Sequence, residues 1–256
     1  MNSKDFDGII ACGDSFTYGP VIKGEHITRQ SRATTLLNSW PAVLGKLMDL
    51  PVENVARQGA SNSDISLQPL QSKSKFERPL IIFGFTIDHR YPYFDNDGKL
   101  YSLEVPGISD TVPDETTYLH RPTGNGEYSQ VPMADNFVQR FLLPNKNSEL
   151  TGLDHLFIEA VNRAIAFEYI NPNATVIWGD IHTYEINSQH RPDEVLKWLN
   201  VPNRCFNDII NGLPLESISS TDDKRWQMSD TDLHPNEKGL IKYADTIYKY
   251  IISTSK

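Results

Sequence analysis

Residues 7–19 read Asp7-Gly8-Ile9-Ile10-Ala11-Cys12-Gly13-Asp14-Ser15-Phe16-Thr17-Tyr18-Gly19. From Asp7 to Asp14 an apolar centre is bounded by polar residues, the pattern of a short strand buried in a sheet. Further strand-like runs follow at Val52–Arg57, Arg78–Ile87 (RPLIIFGFTI), Ala174–Ile181 (ATVIWGDI) and Leu213–Ile218. Between them lie helical patterns. Ser39 can cap a helix in which Trp40, Val43, Leu44 and Leu47 recur at helical spacing, with Pro41 in the first turn. Ser63 or Asp64 opens a short helix. Thr151–Ile170 has one broad apolar face (Leu153, Leu156, Phe157, Ala160, Val161, Ala164, Ile165 and Phe167) and stops before Pro172. Short helices are expected over Pro192–Trp198 and Pro202–Ile210. Pro235 begins a last one, with Leu240, Ile241, Ala244, Ile247, Tyr248 and Ile251 on one side.

Strands interleaved with helices predict a parallel sheet covered on both faces. In such sheets ligands collect at the carboxyl ends of the strands. The places to look for chemistry are therefore just past Asp14, Arg57, Ile87, Ile181 and Ile218. The rhythm breaks between Asp88 and Leu150. Asn96-Asp97-Gly98 is a hairpin turn between Tyr93-Phe94 and Leu100-Tyr101. The rest of this stretch is rich in glycine (Gly107, Gly124, Gly126), proline and tyrosine. The expected organisation is a single domain over residues 1–256 with an insertion at 88–150, part hairpin and part loop, that hangs over the strand ends as a lid. Asp95-Asn96-Asp97-Gly98 also resembles the start of a calcium loop, but Pro106 stands where the closing glutamate belongs.

Composition narrows the function. The chain has 256 residues, 24 basic and 33 acidic, for a net charge of −9. An acidic chain without a dense basic cluster is a poor nucleic-acid binder, because phosphate contacts dominate that affinity. No apolar run of about 20 residues marks a membrane span. The N-terminal MNSKDFDGII lacks the basic and long apolar parts of a signal peptide, so a cytoplasmic location is expected. Cys12 and Cys205 make neither a disulfide framework nor a metal cluster. His26, His120, His155 and His190 show no metal-ligand spacing either.

Four stretches carry candidate chemistry. Gly13-Asp14-Ser15-Phe16-Thr17-Tyr18-Gly19 puts a serine at a strand's carboxyl end, where the free N–H groups of a following helical turn bind an oxyanion. The same residues also serve as a plain connector turn. Thr17 stands where the Gly-x-Ser-x-Gly elbow requires glycine, so that motif is absent. Thr231-Asp232-Leu233-His234-Pro235-Asn236 precedes the last helix. A serine is a weak nucleophile until a base takes its proton; a histidine suits that task when a carboxylate orients it. Asp232 and Asp230 are both near. Asn54 to Ser61 places Gly59 behind the second strand, where backbone can approach a ligand or simply turn. Phe83 to Arg90 offers the Thr86 hydroxyl and the Arg90 guanidinium, or a strand end with a salt bridge. Asp14, Asp180 and His182 also lie at strand ends, as candidate pocket residues beside Arg90.

Together these stretches resemble the SGNH, or GDSL-type, hydrolases: GDS behind the first strand, glycine behind the second, a polar residue behind the third, and Asp and His before the last helix. GDSFTYG is the specific part, and DLHPNEKG supports it independently. The resemblance spans nearly the whole chain outside 88–150. It implies a three-layer α/β/α sandwich with a flavodoxin-like, five-stranded parallel sheet. It also implies Ser15 as nucleophile, His234 as general base, and Ser15 and Gly59 N–H groups in an oxyanion hole. Two departures stand out. The family's third block is usually Gly-x-Asn-Asp, whereas here Gly84-Phe85-Thr86-Ile87 puts Thr86 in the asparagine's place; either Thr86 substitutes, or Arg90 or another insertion group completes the hole. The family's aspartate usually lies three residues before the histidine, a place held here by Thr231. Some relatives, including alginate-acetylating ones, use Asp-x-His spacing, which selects Asp232, with Asp230 as the substitute.

The expected function is hydrolysis of a small acyl ester, such as an O-acetyl group on a carbohydrate, through an acyl-serine intermediate. Neither a metal nor an organic cofactor is implied. The expected partner is a small-molecule or carbohydrate ester, with no nucleic acid and no membrane span. The rivals are an acyltransferase or a lipid or thioester hydrolase on the same fold, and a catalytically drifted binding or structural protein. The charge of −9 also disfavours an anionic lipid surface as substrate.

Overall fold

The structure is a computed structural model that describes residues 3–19, 39–86, 90–94, 100–104, 118–122, 128–132, 152–180, 227–229 and 232–253. The first half holds β1 (Gly8–Gly13), α1 (Ser15–Tyr18), α2 (Trp40–Met48), β2 (Val52–Asn54), α3 (Asn62–Ile65) and β3 (Pro79–Phe85). Four strands of the insertion follow: β4 (Arg90–Phe94), β5 (Leu100–Glu104), β6 (Tyr118–Pro122) and β7 (Tyr128–Pro132). The last part holds α4 (Gly152–Ile170), β8 (Thr175–Asp180), β9 (Gln227–Ser229), β10 (Asp232–Pro235) and α5 (Glu237–Ser253).

The core is a parallel sheet in the order β2-β1-β3-β8. This is the flavodoxin-like doubly wound order, whose crevice lies where the winding reverses, between β1 and β3. Four parallel strands are described where five were expected; the run Leu213–Ile218 lies outside the described residues, as do the helices expected over 192–198 and 202–210.

Side-chain alternation sorts the sheet into two faces. Ile9, Ala11, Leu80, Ile82 and Ile177 pack with Trp40 and Leu44 of α2 and with Leu240, Tyr243, Ile247 and Ile251 of α5. Ile10, Cys12, Ile81, Phe83, Phe85, Val176 and Trp178 pack with Ile65 of α3 and with Ala160, Val161 and Ala164 of α4. The result is an α/β/α sandwich with β1 and β3 buried on both sides and the edge strand β2 only partly so. A slip of one residue would exchange the two sets, so the apolar pattern also holds the register.

Some boundaries differ from expectation. Helix α3 is capped by Ser61, whose side chain accepts from the Asp64 N–H, and so opens before Ser63. Pro235 closes β10 instead of starting α5; Asn236 accepts from the Gly239 N–H at 3.0 Å and supplies the cap. The hairpin of the insertion pairs Tyr93 with Tyr101 and Phe94 with Leu100, the strands that the Asn96–Gly98 turn was expected to join, with the turn itself outside the described residues. The insertion contains more sheet than expected: β4-β5-β6-β7 form one antiparallel meander. Its two further strands end in Pro122 and Pro132, a feature that masks strands in sequence.

Candidate active site

Ser15 lies directly past β1, at the reversal point of the sheet, as the first residue of α1. The helix forms there because Asp14 is extended and its Oδ1 accepts the Phe16 N–H at 3.0 Å. Asp14 itself is fully buried. Its second oxygen, Oδ2, accepts the Thr86 hydroxyl at 2.7 Å. One carboxylate therefore ties the first turn of α1 to the residue that follows β3.

Two side-chain amides hold the strand ends. Asn62, the first residue of α3, accepts the Thr86 N–H at 2.7 Å and donates to the Thr86 carbonyl at 2.9 Å. Gln68 accepts the Gly13 N–H at 2.7 Å and donates to the Gly13 carbonyl at 2.9 Å. Each amide replaces a strand neighbour just where regular pairing ends, so no buried backbone group at these points goes unsatisfied. Gly13 is also sterically required. A Cβ there would lie 2.1 Å from Thr17 Oγ1 and 3.0 Å from the Gly84 carbonyl oxygen.

Gly59 lies in the turn behind β2. Its φ is +68°, and the Ala60 N–H donates to the Arg57 carbonyl, as in a turn that needs positive φ at its third residue. Nothing among the described residues lies within 4 Å of where its Cβ would be. No hydrogen bond takes the Gly59 N–H among the described residues. The turn is tied to its surroundings at two points: the Arg57 N–H donates to Gly13 at 3.1 Å, and the Arg57 guanidinium pairs with the largely buried Asp64 of α3.

The far end of the chain comes back to this place. Strand β10, which carries Asp232 and His234, runs beside α1, with Cα atoms of the two elements within 8 Å. These residues stand on a short strand paired antiparallel to β9, with a register irregularity between Asp232 and Pro235. Asp230 lies outside the described residues.

Asp180 ends β8 and is in register with Phe85, the residue before Thr86. Arg90 opens β4, in register with Glu104, and β4 runs beside α3. His182 lies outside the described residues. The backbone thus gathers Asp14, Ser15, Gly59 and Thr86 at one end of the sheet, with the segments of Asp232 and His234, Asp180, and Arg90 around it. The sequence reading did not single out Asn62, Gln68 and the Arg57–Asp64 pair. One signal was present: buried strand ends need partners, and both amides fall in the polar stretch that links β2 to β3.

Cys12 is fully buried one residue before Gly13. Burial, reinforced by the negative charge of Glu53, pushes its thiol well above the usual range, so it stays protonated and inert. No helix among the described residues is long and apolar enough to cross a membrane.

No protein-family model and no curated protein matches the chain. It is similar to several solved structures. A G-D-S-L family lipolytic protein from Desulfitobacterium hafniense is 14% identical, with a TM-score of 0.43, over 95% of this chain and 99% of that one. A carbohydrate esterase whose active site displays divergent catalytic and non-catalytic binding functions is 12% identical, with a TM-score of 0.46, over 99% of this chain and 66% of that one. An acetyl xylan esterase from the rumen bacterium Butyrivibrio proteoclasticus is 11% identical, with a TM-score of 0.45, over 96% of this chain and 64% of that one.

Proposed function

We propose that the protein is a serine hydrolase that cleaves a small acyl ester, such as an O-acetyl group on a carbohydrate. One observation carries the reading: Ser15 opens a helix at the reversal point of a parallel sheet, and the strand bearing Asp232 and His234 runs beside that helix.

In this reading His234 takes the Ser15 hydroxyl proton, and Asp232 orients the imidazole and stabilises its charged form. Asp230 is the substitute for Asp232. Ser15 Oγ attacks the ester carbonyl carbon, and the charge moves to the carbonyl oxygen. The Ser15 and Gly59 N–H groups receive that oxyanion. Among the described residues, the space around Gly59 and the absence of a partner for its N–H support this role. Collapse of the tetrahedral adduct expels the alcohol, which takes its proton from His234. Water, deprotonated by His234, then releases the acid and restores Ser15. The insertion carries Tyr91, Tyr93, Tyr101, Tyr118 and Tyr128 on its strands, and aromatic residues with hydroxyl groups suit a sugar. Arg90, Asp180 and His182 are the further candidates for substrate contact.

The test is labelling by a serine-reactive fluorophosphonate together with turnover of p-nitrophenyl acetate. Wild-type protein is expected to label and turn over. Ser15→Ala should abolish both, and His234→Ala should lower turnover by at least about 10³-fold. A folded wild type that neither labels nor turns over would overturn the hydrolase reading. It would favour a binding protein, the reading to which the Thr86 hydroxyl bound to Asp14 lends support. Acetyl transfer to an added sugar in preference to water would mark an acyltransferase.

A further inference from the structure

We propose that Thr86 is a positioning residue that acts through Asp14 on the Ser15 backbone, and that its hydroxyl is not an oxyanion donor. The role of the Ser15 N–H as oxyanion donor rests on the hydrolase reading; the link from Thr86 through Asp14 to Ser15 does not.

A hydroxyl has one proton to donate. The Thr86 proton goes to Asp14 Oδ2 at 2.7 Å, with both residues fully buried. At 2.7 Å the bond has the ordinary length of a good O–H···O contact, and both partners are shielded from water. Turning that proton toward an oxyanion would break this buried bond. Thr86 also cannot shift as a unit, because Asn62 bonds both its N–H and its carbonyl.

The effect on Ser15 passes through one torsion. Asp14 has φ −98° and ψ −151°, and that ψ orients the peptide plane that carries the Ser15 N–H. Oδ1 is engaged with the Phe16 N–H at 3.0 Å and Oδ2 with Thr86, so the carboxylate is held at both oxygens. Thr86 thereby sets the direction of the Ser15 N–H from across the β1–β3 boundary. Asn62, as the clamp on Thr86, belongs to the same chain of contacts.

The experiment compares full-length wild type, Thr86→Val, Thr86→Ser, Asp14→Ser and the Thr86→Val/Asp14→Ser double variant. Asp14→Ser keeps a helix-capping oxygen but withdraws the acceptor from Thr86. Backbone amide resonances of Ser15 and Phe16 are recorded by ¹⁵N NMR, and p-nitrophenyl acetate kinetics are measured alongside. Thr86→Val is expected to move both resonances in an otherwise intact spectrum, to lower kcat about 10-fold and to change KM less than about 2-fold. These sizes follow from a misdirected donor rather than a missing one. Thr86→Ser, which retains the hydroxyl, should restore both readouts. In the Asp14→Ser background, Thr86→Val should add little, because coupled residues are not additive.

Two results would overturn the proposal. One is a Thr86→Val loss of about 10²–10³ in kcat that persists in full on top of Asp14→Ser, the behaviour of an independent oxyanion donor. The other is no movement of the Ser15 and Phe16 resonances. Absence of turnover in wild type overturns the hydrolase reading instead, and the resonances still decide the role of Thr86.

Discussion

The ends of β1 and β3 and the turn at Gly59 stand side by side but are built on opposite plans. At the strand ends everything is buried and tied: Gly13 by Gln68, Thr86 by Asn62 and Asp14. At the turn, Gly59 is exposed, with positive φ and nothing among the described residues within 4 Å of its missing Cβ. Both places need glycine, for different reasons. Gly13 has no room for a side chain; Gly59 has room but a backbone conformation that side chains disfavour. The contrast is between a tied, buried wall and an open rim.

The largest effect should come from the wall. Asn62→Ala removes both buried hydrogen bonds of its amide to the Thr86 backbone, each loss expected to cost about 1–3 kcal/mol. A stability loss of about 3 kcal/mol is expected, measured by urea denaturation, against a much smaller loss for a surface change such as Lys249→Ala. A loss below about 1 kcal/mol would mean that the clamp is dispensable and the wall is not rigid. Gly13→Ala should follow at about 2–3 kcal/mol, because the new methyl meets Thr17 and the Gly84 carbonyl and overpacks a closed site.

The rim should behave differently. Gly59→Ala places an L-residue at φ +68°, which costs roughly 1–2 kcal/mol. Its folded form should nonetheless lose kcat by more than that of Asn62→Ala at a temperature where both remain folded. Equal kcat losses would erase the distinction between wall and rim.

The smallest effect tests a third, half-exposed clamp. Glu53 gathers the N–H groups of Lys73 and Ser74 and the Ser72 hydroxyl. Although burial pushes the carboxyl up, these bonds hold it at about 2 rather than 4.5. A depressed folded pKa means stability that is fully present above about 4.5 and is lost as pH falls toward 2. Solvent screening keeps this below about 1 kcal/mol. Glu53→Gln should lower Tm slightly at pH 7 and leave it unchanged near pH 2. A constant gap across that range would show that charge is not what the clamp uses.

Much of the fold was legible. Strands β1, β3 and β8 and helices α4 and α5 stand within two residues of their expected spans, because burial on a sheet or a helix face writes a period of 2 or 3.6 into adjacent positions. The helix starts were less so: Ser61 and Asn236 cap the helices that Ser63 or Asp64 and Pro235 were expected to open, since helix boundaries are weakly marked in sequence. The GDS stretch behind β1 was legible as a candidate site because sheet topology assigns ligands to strand ends.

The amino-acid sequence by itself determined the strand–helix rhythm, the two apolar faces of the sheet and the position of Ser15 at a strand end. Only the tertiary structure decided that Gln68 holds Gly13 across 55 residues, that Asn62 holds Thr86 across 24, that the Thr86 proton goes to Asp14 across 72, and that β10 runs beside α1. The physical reason is range. Burial repeats along a chain and is read locally, whereas a single hydrogen bond between distant polar side chains leaves no periodic mark and exists only once the sheet has brought its partners together.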